Sequence, residues 1–174
     1  MVLIGLGANL PHPEYGDARS TLEAALAVLE ERGIRVAARS RWFRSAPVPP
    51  SDQPWFINGV AALETDLGPV DLLAQLHDIE NAFGRVRREP NAPRRVDLDL
   101  LDYDGRVREG GEGDSRRAGP TLPHPRMAER AFVLLPLADV APGWRHPVTG
   151  RPLEKLIEDL PGDQIAEPVG EREA

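Results

Sequence analysis

The stretch from Gly84 to Gly105, GRVRREPNAPRRVDLDLLDYDG, most narrows what this chain can fold into. In its second half Val96, Leu98 and Leu100 alternate with Asp97 and Asp99, the pattern of a strand that buries one face and shows the other. The strand reads from Arg95 to Tyr103, and Asp104-Gly105 closes it as a hairpin turn signal. The first half packs Arg85, Arg87, Arg88, Arg94 and Arg95 around a linker bearing Pro and Asn. A cationic loop feeding a strand with carboxylates at i and i+2 suits a polyphosphate bound with a divalent metal. Same-face neighbours lie roughly 6–7 Å apart along a strand, so Asp97 and Asp99 could serve two hard cations, or one cation and a water. A solvated strand face beside a solvated or nucleic-acid-facing arginine loop would use the same residues. On this stretch alone those readings stay open.

The flanking segments alternate between strand and helix patterns. Val2 to Ala8 is a nearly continuous apolar run, as in a buried central strand. Gly5-Leu6-Gly7 is not a dinucleotide loop, because Leu10 stands where a third glycine belongs. Asp17 caps a helix that runs to about Arg32, with Leu22, Leu26 and Leu29 on one face and Gly33 as its stop. Ile34 to Arg44 reads as one half-buried strand, with Ile34, Val36, Ala38 and Trp42 inward. Ser45 to Pro54 is a stiff, exposed loop rich in proline. Trp55 to Glu64 is a further strand, with Ile57, Ala61 and Leu63 on one side and Phe56 and Asn58 on the other. Gly68-Pro69 opens a helix to about Phe83 with Leu72, Leu76, Ile79 and Phe83 as its stripe, flanked by His77 and Glu80. Residues 106–120 are Gly-rich and polar and read as a mobile loop, while the apolar segment around Pro136 reads as helix or turn. Without strict β-α-β alternation, the expected class is α+β with a mostly antiparallel sheet flanked by helices. Residues 1–160 form one expected domain and 161–174 an acidic, flexible tail.

Composition removes several function classes. The chain of 174 residues has no cysteine, so it holds neither disulfides nor a thiolate metal site. Its net charge of −7 argues against a general nucleic-acid or anionic-membrane binder. No apolar run approaches the ~20 residues a spanning helix needs. The start, MVLIGLGANL, lacks the basic flank of an export signal. A cytoplasmic, monomeric protein acting on small molecules is the expectation. No Walker A loop is present, and an EF-hand reading fails because Arg108 stands where the closing Glu is needed. His124, held between Pro123 and Pro125 and beside Arg126, is either a structural hydrogen-bonder or a phosphate contact. Phe56 and Phe132 are either core residues or two faces of a slot for a flat heterocycle, with Asn58 supplying a paired donor and acceptor.

Taken in order, LGANL, RSAPV before Gln53-Pro54, FINGVAALET, the IE…GRVRR helix end, APRRVDLDLLDYDG, LPHPR and RAFVLLPLADVAP resemble the 6-hydroxymethyl-dihydropterin pyrophosphokinase family of folate biosynthesis. The resemblance covers about Met1 to Pro142. It implies a ferredoxin-like sandwich that binds ATP with two Mg²⁺ and passes pyrophosphate to the pterin hydroxymethyl oxygen, releasing AMP. Asp97 and Asp99 would hold the metals. Arg85 and Arg94 would contact the phosphates and stabilise the transferring group, with Arg87 nearby. His124 and Arg130 would bind the polyphosphate, and His77 and Glu80 the nucleotide side. Phe56 and Phe132 would sandwich the pterin, with Asn58 and groups near Ser45 and Val48 reading its edge. The family's Arg-Trp-Gly-Pro-Arg run is replaced by Pro90-Asn91-Ala92-Pro93-Arg94, which lacks the Trp and one arginine. Rival readings are another Mg²⁺-dependent nucleotide transferase on the same scaffold, or a ferredoxin-like RNA-binding module. The latter lacks the aromatic strand motifs that stack bases.

Overall fold

The computed structural model describes residues 1–84, 91–110 and 119–170. Strand β1 (Val2–Ala8) lies inside the sheet, paired antiparallel on one side with β4 (Phe56–Glu64) and on the other with β5 (Asp97–Tyr103). β2 (Arg35–Arg39) and β3 (Phe43–Ser45) share the far edge of β4, and β6 (Ala166–Pro168) extends the sheet beyond β3. All these pairings are antiparallel, and the order β5-β1-β4-β3-β6 with two helical crossovers is a ferredoxin-like α+β arrangement.

Period-two alternation sorts the strand residues onto two cores. Val2, Ile4 and Leu6 of β1, Ala61 and Leu63 of β4, and Leu98 and Leu100 of β5 face α1 (Ala18–Glu31) and α2 (Pro69–Ala82). The opposite face offers Leu3, Val60, Ala62 and Leu101 to α3 (Ala131–Val140) and α4 (Leu153–Glu158). Both cores are needed because each sheet face carries apolar side chains. The helix signals hold: Asp17 Oδ1 accepts from the Ser20 amide at 2.7 Å, and Gly33 takes φ 79° just after α1.

Two expectations are corrected and one open alternative is settled. Ile34 to Arg44 is two strands, not one. The register with β4 shifts between Val36 and Ala38, which leaves Ala38 exposed, and pairing breaks again at Ser40. There the buried Ser40 Oγ accepts from the Val60 amide at 3.0 Å, and Trp42 folds over Gly59, whose added Cβ would sit 2.8 Å from the indole. The apolar segment AFVLLPLADV is a helix, although Pro136 forgoes the bond to the carbonyl four residues back. Its position between the sheet and α4 decides what its non-periodic sequence leaves open. The tail does not fray over residues 161–170: β6 pairs with β3, and the Val169 amide donates to the Trp42 carbonyl at 2.9 Å. β3 otherwise ends the sheet with unpaired backbone groups, and β6 satisfies them.

Ser40→Ala should destabilise the protein by about 1–3 kcal/mol, since it strands the buried Val60 amide. Urea denaturation with an unchanged m-value and a shift below about 0.5 kcal/mol would contradict this account of the broken strand.

Candidate active site

One cavity of about 1210 Å³ opens on the α3–α4 face, beyond the end of the helical cover. Its floor is the sheet itself. In the register Gly7 lies between Asn58 of β4 and Asp97 of β5, while Gly5 lies opposite Asp99. Directly opposed residues point to one face, so Asn58, Asp97 and Asp99 rise into the cavity around a glycine-lined trough. A Cβ on Gly7 would stand 3.1 Å from Asn58 Oδ1, so the small residue keeps that carbonyl oxygen in place. Asn58 Nδ2 donates to Ser45 Oγ at 2.6 Å, both side chains being buried. Phe56 lies two residues before Asn58 on the same face, and Phe132 lines the cavity from the start of α3. The Arg130 guanidinium lies 5.4 Å from the Phe132 ring centre.

A buried asparagine that the sequence reading overlooked ties the loops together. Asn9 donates through Nδ2 to Gln53 Oε1 and the Pro54 carbonyl, each at 3.1 Å, and its Oδ1 accepts from the Arg94 amide at 2.8 Å. The Asn9 amide in turn donates to the Arg94 carbonyl at 2.9 Å, and Gln53 Nε2 donates to the Asn91 carbonyl at 2.7 Å. The proline-rich loop, including Val48 at the cavity wall, is thereby fastened to the segment that carries Arg94. An Asn placed between a strand end and Pro11 was the available signal.

Cations surround the two carboxylates. Arg94 Nη1 lies 2.7 Å from Asp97 Oδ1. Arg126 and Arg130 line the same cavity. Burial first, then the Arg126 charge, lowers the Arg130 pKa from its usual range, with Asp99 and Asp97 opposing. His124 is pushed down to about 4, chiefly by burial and then by the Arg130 charge, against the pull of Asp97. It is therefore neutral near pH 7. Its Nδ1 accepts from the Arg126 amide at 3.2 Å, which assigns the ring proton to Nε2. The His124 amide donates to the Leu101 carbonyl at 2.8 Å, anchoring LPHPR to β5.

The cavity thus gathers Ser45, Val48, Phe56, Asn58, Arg94, Asp97, Asp99, His124, Arg130 and Phe132. His77 and Glu80 are not among its lining residues. Glu80 is 1% exposed, and its Oε1 accepts from the Leu98 amide at 2.8 Å, so it holds the peptide between the two aspartates from behind. Its position on the buried side of α2 turns it toward β5, where the sequence reading set it at a rim. Arg85, Arg87 and Arg88 lie outside the described residues. Among the described residues no group of three or more His, Asp or Glu converges as a ready metal cage. Two hard carboxylates on one strand face still fit Mg²⁺, which commonly takes one or two carboxylates and completes its shell with water and substrate phosphates.

The chain as a whole has counterparts among known proteins. The family model for 7,8-dihydro-6-hydroxymethylpterin-pyrophosphokinase (HPPK) matches residues 3–142. A Pseudomonas aeruginosa protein named 2-amino-4-hydroxy-6-hydroxymethyldihydropteridine pyrophosphokinase is 42% identical over 167 residues, covering 94% of both chains. One of the same name from Synechocystis is 41% identical over 159 residues, covering 91% of this chain and 75% of its own. A crystal structure of Plasmodium falciparum HPPK-DHPS with pteroate overlays with a TM-score of 0.69 at 13% identity. It shares the fold over 90% of this chain, which spans only 43% of that longer one. With a match across most of its length and such relatives over nearly all of it, this chain belongs to the 7,8-dihydro-6-hydroxymethylpterin-pyrophosphokinase family.

Proposed function

We propose that the chain transfers the terminal pyrophosphoryl group of ATP to the hydroxymethyl oxygen of 6-hydroxymethyl-7,8-dihydropterin and releases AMP. The observation that carries this reading is the shared floor: Asn58 on β4 and the Asp97–Asp99 pair on β5 rise on either side of β1 into one cavity. Asn58 offers an amide to the edge of a pterin ring, with its own donor steadied by Ser45. Phe56 and Phe132 would hold the ring between them, with Val48 closing the loop side.

Asp97 and Asp99 would hold two Mg²⁺ ions. Bound there, the metal supplies charge neutralisation along the β- and γ-phosphates. Arg94, drawn from Asp97 toward the phosphates, would follow the charge of the transferring group, and Arg130 and His124 would steady the chain of oxygens through donated hydrogen bonds. His124 can donate from Nε2 without first taking a proton. On the sequence resemblance alone, Arg85 and Arg87 join this phosphate set and His77 the nucleotide side, whereas Glu80, buried behind β5, would steady the strand of the two aspartates. The hydroxymethyl oxygen bonds to the β-phosphorus, the β-phosphorus bond to the α–β bridging oxygen breaks, and AMP leaves with that oxygen. The alcohol proton passes to solvent. Loose phosphoryl transition states rest on positioning and charge neutralisation, so no residue need act as a strong base.

Among the described residues no helix is long and apolar enough to cross a membrane. From its family membership we infer a protein that works on small molecules, as a monomer in the cytoplasm.

Incubation with ATP, Mg²⁺ and the pterin should release AMP only when the pterin is present; ADP, or AMP without pterin, would refute the reading. Asp97→Ala and Asp99→Ala should each lower turnover on the order of 100-fold or more at matched folding. Near-normal rates in either variant would remove the metal assignment.

In the metal-free protein, His124 should titrate at about 4 by NMR. Because its folded pKa lies below the unfolded value near 6.5, the native state binds fewer protons in that interval. Its contribution is complete above the unfolded value and is lost as pH falls from about 6.5 toward 4. His124→Gln should flatten that part of the stability profile. A titration midpoint near 6.5 would contradict the burial argument.

A further inference from the structure

The family match ends at residue 142, yet residues well beyond it reach the cavity. We propose that Gln164 is a positioning residue for the pterin slot, tying the first turn of α3 to the β3–β6 edge. This rests on the pterin reading above.

Gln164 Oε1 accepts from the Ala131 amide at 2.8 Å, and its Nε2 donates to the Glu129 carbonyl at 2.7 Å. The two bonds bracket Arg130, whose next-but-one neighbour is Phe132. The first amides of a helix have no partner within it, and Arg130, at the cap position of α3, has no side-chain oxygen to offer. Gln164 provides that acceptor from 33 residues further along the chain. An amide suits the task because it presents one acceptor and one donor to an N–H and a C=O two residues apart.

The next two residues grip the other wall. The Ile165 carbonyl accepts from the Ala46 amide at 3.2 Å, and Ala166 pairs with Ser45. Ser45 in turn accepts from Asn58. Three consecutive residues thus join the Phe132 wall to the Ser45–Asn58 wall. Gln164 itself lines the cavity. The separation and tilt of the two walls are set through this tie, without Gln164 touching the reacting atoms.

The test compares Gln164→Met, which keeps length without the hydrogen bonds, with Gln164→Glu, which keeps the acceptor for Ala131. Glu167→Ala serves as control, since it removes only the Arg44 ion pair on the same edge. Titration with 6-hydroxymethyl-7,8-dihydropterin should show binding about tenfold weaker in Gln164→Met. Gln164→Glu should recover part of that loss, because a carboxylate is also favoured at a helix N-terminus. Glu167→Ala should stay within about twofold of the unaltered protein, on the scale of an exposed ion pair. Gln164→Met binding within about twofold, a Glu variant no better than the Met variant, or an equal loss in Glu167→Ala would each overturn the tie. If Gln164→Met does not fold, amide exchange decides. Slow exchange at Ala131 in the unaltered protein, retained in Gln164→Glu, supports the tie, and fast exchange in both overturns it. Loss of pterin binding by the unaltered protein would instead strike the proposed function, and the Ala131 exchange comparison would still judge the tie.

Discussion

The pairing of Gly7 with Asn58 on one side and Asp97 on the other is the constraint from which the candidate site follows. Neighbouring strands lie about 4.8 Å apart, so two spacings put Asn58 and Asp97 roughly 10 Å from each other across β1. That span suits a flat ring at one end and a phosphate chain at the other. A one-residue slip of β1 would place Leu6 or Ala8 between them, filling the trough and turning the apolar residues of β1 away from α1 and α2. The same register therefore serves packing and chemistry. Stability of the core beneath holds the site above in place.

The carboxylates are half-buried among Arg94, Arg126, Arg130 and His124, so the cavity brings both signs of charge together. The Arg94 guanidinium rests against Asp97. Partial exposure keeps that pair from being a large source of stability, and its partners remain exchangeable. Asn9 and Gln53 link the proline-rich loop to the segment that carries Arg94, so a shift in the loop before β4 is felt at Arg94. A half-buried network of this kind fixes geometry more than it adds stability.

Elements with strong period and clear punctuation were legible. Asp17, Gly33, Pro69 and Gly84 mark the ends of α1 and α2, and the alternation of Val96 to Leu100 places Asp97 and Asp99 on one face. The residues themselves offered Asn58, His124 and Phe132 with their alternatives open, the resemblance added Arg130, and the fold brings all four to one cavity. What stayed hidden depends on partners distant in the chain. The break at Ser40 follows from its bond to Val60, and Glu80 is turned inward by the Leu98 amide that β5 leaves open. β6 has no apolar stripe because it is held by backbone pairing to β3, so its acidic composition read as a free tail. Asn9 and Gln53 are short polar residues whose weight lies in contacts tens of residues away.

A crystal structure with Mn²⁺, a non-hydrolysable ATP analogue and the pterin tests the shared floor most directly. The account predicts anomalous peaks bound to both Asp97 and Asp99, with the phosphate chain leading to a pterin whose edge meets Asn58. Metal bound away from either aspartate, or a pterin seated outside the Phe56–Phe132 slot, would contradict it.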